Sequence, residues 1–144
     1  MLFDTSVNDK EIKFKINKEV GKPFSFFESI KRAPIGSSRM EVIAYSKLFN
    51  GVMAWNKQAI FGNIALRPHG ILVIISVRLS NYSWVIPYRN LSIFHTETLT
   101  IHSQGEFIRF KVSPSQNKKI IQRIISEKNA HTQQNMDYHG GVRS

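Results

Sequence analysis

The chain has no cysteine. That excludes disulfides, thiolate metal sites and a cysteine nucleophile, and it fits a reducing compartment. Long apolar runs are also missing. The longest is Ile71–Ile75, far short of the roughly 20 residues a membrane-crossing helix needs. The start, Met1–Lys10, has no basic segment followed by an apolar one, so no secretory signal is expected. The expectation is a cytoplasmic protein without a transmembrane segment, at most peripheral to the inner membrane face. Acidic residues are scarce where they would matter for chemistry: between residues 36 and 113 there are only Glu41, Glu97 and Glu106. No nucleophile, base and orienting acid can be assembled from these, so no enzyme is expected. The five histidines have no metal-ligand spacing: His95 and His102 fall on separate expected strands, His69 in a turn, His131 and His139 in the tail. No metal and no cofactor are expected.

Apolar content is ample. Of 144 residues, 42% are hydrophobic and ten are phenylalanine, enough for one domain with a real core and too few residues for two. The net charge is +10, which favours anionic partners. It is spread along the chain: residues 1–35 carry seven basic and five acidic groups, 36–113 eight and three, 114–144 five and two. There is no dense Lys/Arg block of the kind a nucleic-acid arm shows, so nucleic acid is the least favoured partner.

Three regions follow from the patterning. Residues 1–38 read as an extension: a loose end over 1–10, an edge strand over Glu11–Asn17 (Ile12, Phe14 and Ile16 alternating with lysines), a short helix over Pro23–Arg32, and a linker over Ala33–Ser38. Residues 39–128 read as short strands cut by turns. Met40–Phe49 is stopped by Asn50-Gly51, a hairpin signal. The run from Val52 to Leu66 bends near Gly62, Arg67–Gly70 turns, and Ile71–Val77 is a β-branched buried strand. Trp84–Phe94 contains Pro87, which a central strand does not tolerate, so the run divides into two strands at a corner. Leu99–Ser103 and Phe107–Val112 form a hairpin about Gln104-Gly105. Ser113, Pro114 and Gln116 suggest a capped helix start, and Ile120, Ile121, Ile124 and Ile125 an apolar stripe running to about 128. Residues 129–144 read as a disordered polar tail.

Gly62–Ile74, Trp84–Phe94 with its Ile-Pro-Tyr-x-x-Leu corner, the Gly105-centred hairpin and the closing helix together resemble the bacterial PH and GRAM-like branch of the pleckstrin-homology-like superfamily, over roughly residues 40–128. The resemblance implies a mainly β (α+β) fold: a partly open antiparallel barrel of about seven strands capped by a C-terminal amphipathic helix, here with an N-terminal strand–helix extension. It also implies a non-catalytic binding module whose basic residues gather at the first-hairpin end. Lys47, Lys57 and Arg78 are the candidates for an anion or lipid site, and Val52, Met53 and Trp55 for contact with a membrane or partner, although core packing suits Gly51–Trp55 better. Lys57 is followed by Gln58 and Ala59 where phosphoinositide-binding members continue to an arginine, so no choice among phosphoinositides is expected. The expected partner is an anionic phospholipid surface or a protein. The alternative is an assembly module, a homo-oligomer built through the barrel edge and the apolar Phe24, Phe26 and Phe27.

Overall fold

In a computed structural model, which describes residues 1–113 and 115–143, the strands join in one antiparallel sheet. They are β1 (Leu2–Asp4), β2 (Met40–Tyr45), β3 (Phe61–Arg67), β4 (Gly70–Val77), β5 (Ser80–Pro87), β6 (Ser92–His95), β7 (Thr98–Ser103) and β8 (Glu106–Lys111), in the spatial order β1-β5-β4-β3-β2-β8-β7-β6. Both β1 and β6 are free edges, so the sheet is not a closed barrel. Four helices accompany it: α1 (Lys10–Val20), α2 (Phe26–Arg32), the single turn α3 (Asn50–Met53) and α4 (Lys118–Arg143). The fold is α+β and mostly β, as expected.

The expected corner is present. Pro87 is the last residue of β5, opposite Gly70, and Tyr88–Asn90 form a 3₁₀ turn before β6. There the missing N–H costs no ladder bond. The Gln104-Gly105 loop is a two-residue hairpin with φ of 51° and 81°, the left-handed pair that matches strand twist. Strand alternation sends Ile64, Leu66, Ile71, Val73, Ile75, Trp84, Ile86, Leu99, Ile101, Ile108 and Phe110 to one inner face. Ile120, Ile121 and Ile124 of α4 close that core, and Lys128 donates to the Tyr88 carbonyl at 3.2 Å, fastening α4 to the corner.

Several expectations are corrected. Residues Glu11–Asn17 are not an edge strand but the body of α1. The Asp9 carboxylate accepts from the Glu11 and Ile12 N–H groups at 2.9 and 3.3 Å, and Gly21 ends the helix at φ 87°. Ile12, Ile16 and Val20, four apart, line one helical face against Leu72 and Val85 on the outer face of the sheet. Phe14, which a strand would have buried with them, is 69% exposed. The residues before Asp9 are not a loose end: β1 pairs with β5, and the Thr5 hydroxyl lies 2.9 Å from that of Ser83. Pro23 precedes α2, whose cap is Ser25. Residues 35–37 are tied to β3, with Leu66 N–H donating to the Ile35 carbonyl at 2.7 Å.

Asn50-Gly51 makes no hairpin. Asn50 is right-handed helical, and Lys47–Met53 coil through a 3₁₀ turn into α3, which buries Phe49 and Met53 one turn apart. Burial of two large apolar side chains outweighs a local turn preference of a few tenths of a kcal/mol. Gly62 lies in regular ladder opposite Ile75, and the irregularity falls instead between Val42 and Ala44 of β2. The helix starts at Lys118, five residues after the proposed Ser113 cap. Pro114 lies outside the described residues. The Gln116 side-chain amide donates to the Ser38 hydroxyl and the Arg39 carbonyl, each at 3.2 Å, while its backbone N–H donates to the Ser113 carbonyl at 3.1 Å. The helix continues past residue 128 to Arg143.

Candidate functional site

One end of the sheet carries the β4–β5 hairpin tip, the β7–β8 turn and the whole of residues 46–60. Arg78 and Leu79 form the β4–β5 tip, with Arg78 at φ 57°. Gly51, Val52, Trp55, Asn56, Val77, Arg78, Ser80 and Tyr82 line an open cleft of about 280 Å³ there. The structure thus brings Arg78 beside the segment running from Lys47 to Lys57. All three cations are exposed, and none has an acidic partner among the described residues. Two carboxylates at this end are engaged: Asp4, opposite Tyr82, accepts from the Ser6 N–H at 3.0 Å, and Glu106 accepts from the Ser46 hydroxyl and from the Leu48 N–H at 3.2 Å, holding the 3₁₀ turn in place.

The apolar candidates divide. Met53 is in the core, as the packing account of this stretch expects, and Val52 is half-buried against it. Trp55 is 84% exposed. Beside it Leu79, which the sequence pattern did not single out, is fully exposed at the hairpin tip. Its sequence signal was an apolar residue in a turn otherwise made of Arg78 and Ser80. Scattered exposed leucines need no explanation. Two large apolar side chains standing out at one rim, with three unpaired cations, make a denser arrangement.

A second apolar surface lies on α2. Phe24 packs on the main core with the Arg32 guanidinium 5.2 Å from its ring centre. Phe26 and Phe27 are 74% and 82% exposed and touch each other edge to face at 5.8 Å. Ile30 extends the same exposed surface.

Two further groups have structural duties. Arg67 is half-buried, and burial lowers its pKa from the ordinary arginine value. It donates to Asn17 Oδ1 at 3.0 Å and to the Gly21 carbonyl at 2.8 Å, pinning the end of α1 to the sheet. The Tyr88 hydroxyl donates to the Arg67 carbonyl at 3.1 Å, and burial pushes its pKa upward. The histidine rings of His69 and His131 sit 6.5 Å apart, and among the described residues no three His, Cys, Asp or Glu side chains gather as metal ligands would. Among those residues no helix is long and apolar enough to cross a membrane. No family model matches the chain, and no curated protein or solved structure does either.

Proposed function

We propose that the chain is a non-catalytic binding module of pleckstrin-homology-like type that rests on an anionic membrane surface through the sheet end bearing Lys47, Lys57 and Arg78. The observation that carries this reading is the exposure of Trp55 and Leu79 at that rim beside three unpaired cations. Aromatic and aliphatic side chains lose free energy on entering the headgroup boundary, and each nearby cation adds on the order of 1 kcal/mol against an anionic leaflet. The finer fold assignment draws on the strand meander from β2 to β8, the proline-ended corner and the helix behind it. The setting would be the cytoplasm, at the inner face of the membrane. No metal or cofactor enters.

Co-sedimentation with phosphatidylserine-containing vesicles tests it. Binding is expected at low salt, to fall as salt screens the cations, and to weaken in Lys47→Glu/Lys57→Glu. Trp84 is buried, so a blue shift of fluorescence on binding reports Trp55. Protein that stays in the supernatant at low salt defeats the reading.

A second reading, self-assembly, is favoured by the open Phe26, Phe27 and Ile30 surface of α2. If it holds, sedimentation velocity finds an oligomer that Phe26→Ser/Phe27→Ser converts to monomer.

A further inference from the structure

We propose that the outer face of β2, β8, β7 and β6 is a binding surface for single-stranded nucleic acid. It adjoins the rim just described at Phe107, whose N–H donates to the Ser46 hydroxyl at 2.9 Å, but it lies on the sheet face and does not depend on the membrane reading. Strand alternation that buries Leu99, Ile101, Ile108 and Phe110 turns Thr100, His102, Phe107, Arg109 and Lys111 to the opposite face. There Arg109 and Lys111 are exposed, His102 and Phe107 are half-buried, and Thr100 is buried with its hydroxyl accepting from Arg109 Nε at 3.1 Å. The register then sets His102 opposite Phe107, Thr100 opposite Arg109, and Phe94 of β6 opposite Thr100. The result is a row of rings across three strands: Phe94 to His102 at 5.4 Å and His102 to Phe107 at 5.5 Å. The Arg109 guanidinium is 5.7 Å from the Phe107 ring centre. At the border with β3, Arg39 lies over Phe61 at 4.2 Å.

This surface alternates π faces with permanent cations. Arg39, Arg109 and Lys111 outnumber its one carboxylate, Glu41, which lies opposite Lys111 in the ladder. Glu97 is at the β6–β7 turn, beyond the row of rings. An apolar peptide would leave these cations unpaired. A duplex would hide its bases from the rings. A single strand supplies both complements at once: bases whose faces stack on Phe and His, and phosphates that meet Arg and Lys. Because the surface is assembled by register between strands, it leaves no basic run in the sequence, which is why composition ranked nucleic acid low.

The test is fluorescence anisotropy with a labelled oligothymidylate of about 20 nucleotides and a duplex of equal length. The single strand is expected to bind more tightly than the duplex. Phe94→Ala is expected to weaken binding roughly tenfold, the usual loss for a stacked base, with Phe94→Trp restoring it. Arg109→Gln should lower the slope of log affinity against log salt by about one. Phe94 is 59% exposed, so its truncation leaves the fold intact, which a thermal melt verifies. Equal binding of duplex and single strand, or full affinity in Phe94→Ala, would mean that only the diffuse +10 charge is at work, and the proposal fails. It also fails if no binding occurs at low salt, or if Lys47→Glu/Lys57→Glu, at the adjoining rim, abolishes binding while Phe94→Ala does not.

Discussion

Leu72 and Phe94 both point away from the main core, yet the first is 6% exposed and the second 59%. The difference is α1. It crosses the outer face of β3, β4 and β5, so that Leu72 and Val85 pack beneath Ile16 and Val20 and make a second small core. Over β2, β8, β7 and β6 no helix among the described residues packs as α1 does, and the outward residues there change from aliphatic to aromatic, basic and hydroxylic. The inner faces of the two halves are alike, both lined by β-branched and aromatic side chains under α4. One sheet can therefore carry a sealed half, where substitutions are felt as stability, and an open half, where they should be felt as binding.

Gly70 gives the strongest way to break the sealed half. A Cβ at this position would stand 2.3 Å from the Ile86 carbonyl oxygen and 2.6 Å from Val20 Cγ1, so both the neighbouring strand and α1 would have to move. Gly70→Ala is expected to cost about 4 kcal/mol or more, near the extreme of single substitutions. Urea denaturation measures it, and a loss under about 1 kcal/mol would show that α1 is not closely seated.

Ile16→Ala comes next. It removes a side chain that is 5% exposed and leaves a cavity between α1 and the sheet. The expected loss is about 3 kcal/mol, the usual range for a buried Ile truncation. Smaller again is Asp9→Ala, which takes away the acceptor for the first N–H groups of α1 and should cost about 1 kcal/mol. Asp9→Asn and Asp9→Ser should each recover most of it. If all three variants match the wild type, capping does not hold α1 in place and the contacts of Ile16 and Val20 alone do.

These same residues show how far the sequence could be read. The strands from Ile71 onward were legible, because two-residue alternation, Gly-containing turns and one proline mark their limits independently of anything distant. α1 was not. Over seven residues, apolar positions two apart and four apart coincide at Ile12 and Ile16, and only Phe14 separates the two periods. Asn50-Gly51 misled for a different reason: a local turn preference was overridden by the burial of Phe49 and Met53 against the sheet end, including a contact of Phe49 with Trp84 at 5.0 Å. At the candidate rim, the cations and Trp55 were visible in the sequence, and Leu79 only as an apolar residue among turn residues, since its exposure follows from the two-residue loop between Val77 and Ser80. The aromatic row on the open half depends on cross-strand register, which no short window contains.

The smallest effect is the most diagnostic for the comparison. Phe94→Ala removes more carbon than Ile16→Ala, but from a ring already mostly in water whose main neighbour is His102. Little apolar area is returned to solvent, so the expected loss is about 0.5 kcal/mol. For a domain of this size that is a melting-temperature change of about 2 °C, close to the smallest that repeated scans resolve. The ratio of the two losses, roughly six to one in favour of Ile16, measures how differently the two outer faces are covered. Should Phe94→Ala instead cost as much as Ile16→Ala, the open half would be covered in solution by a second copy of the chain. In that case the wild-type melting temperature would rise with protein concentration, since association stabilises the folded chain by mass action. A concentration-independent melt together with a small Phe94 loss leaves the open half free in the unbound protein, with its aromatic residues spent on something other than stability.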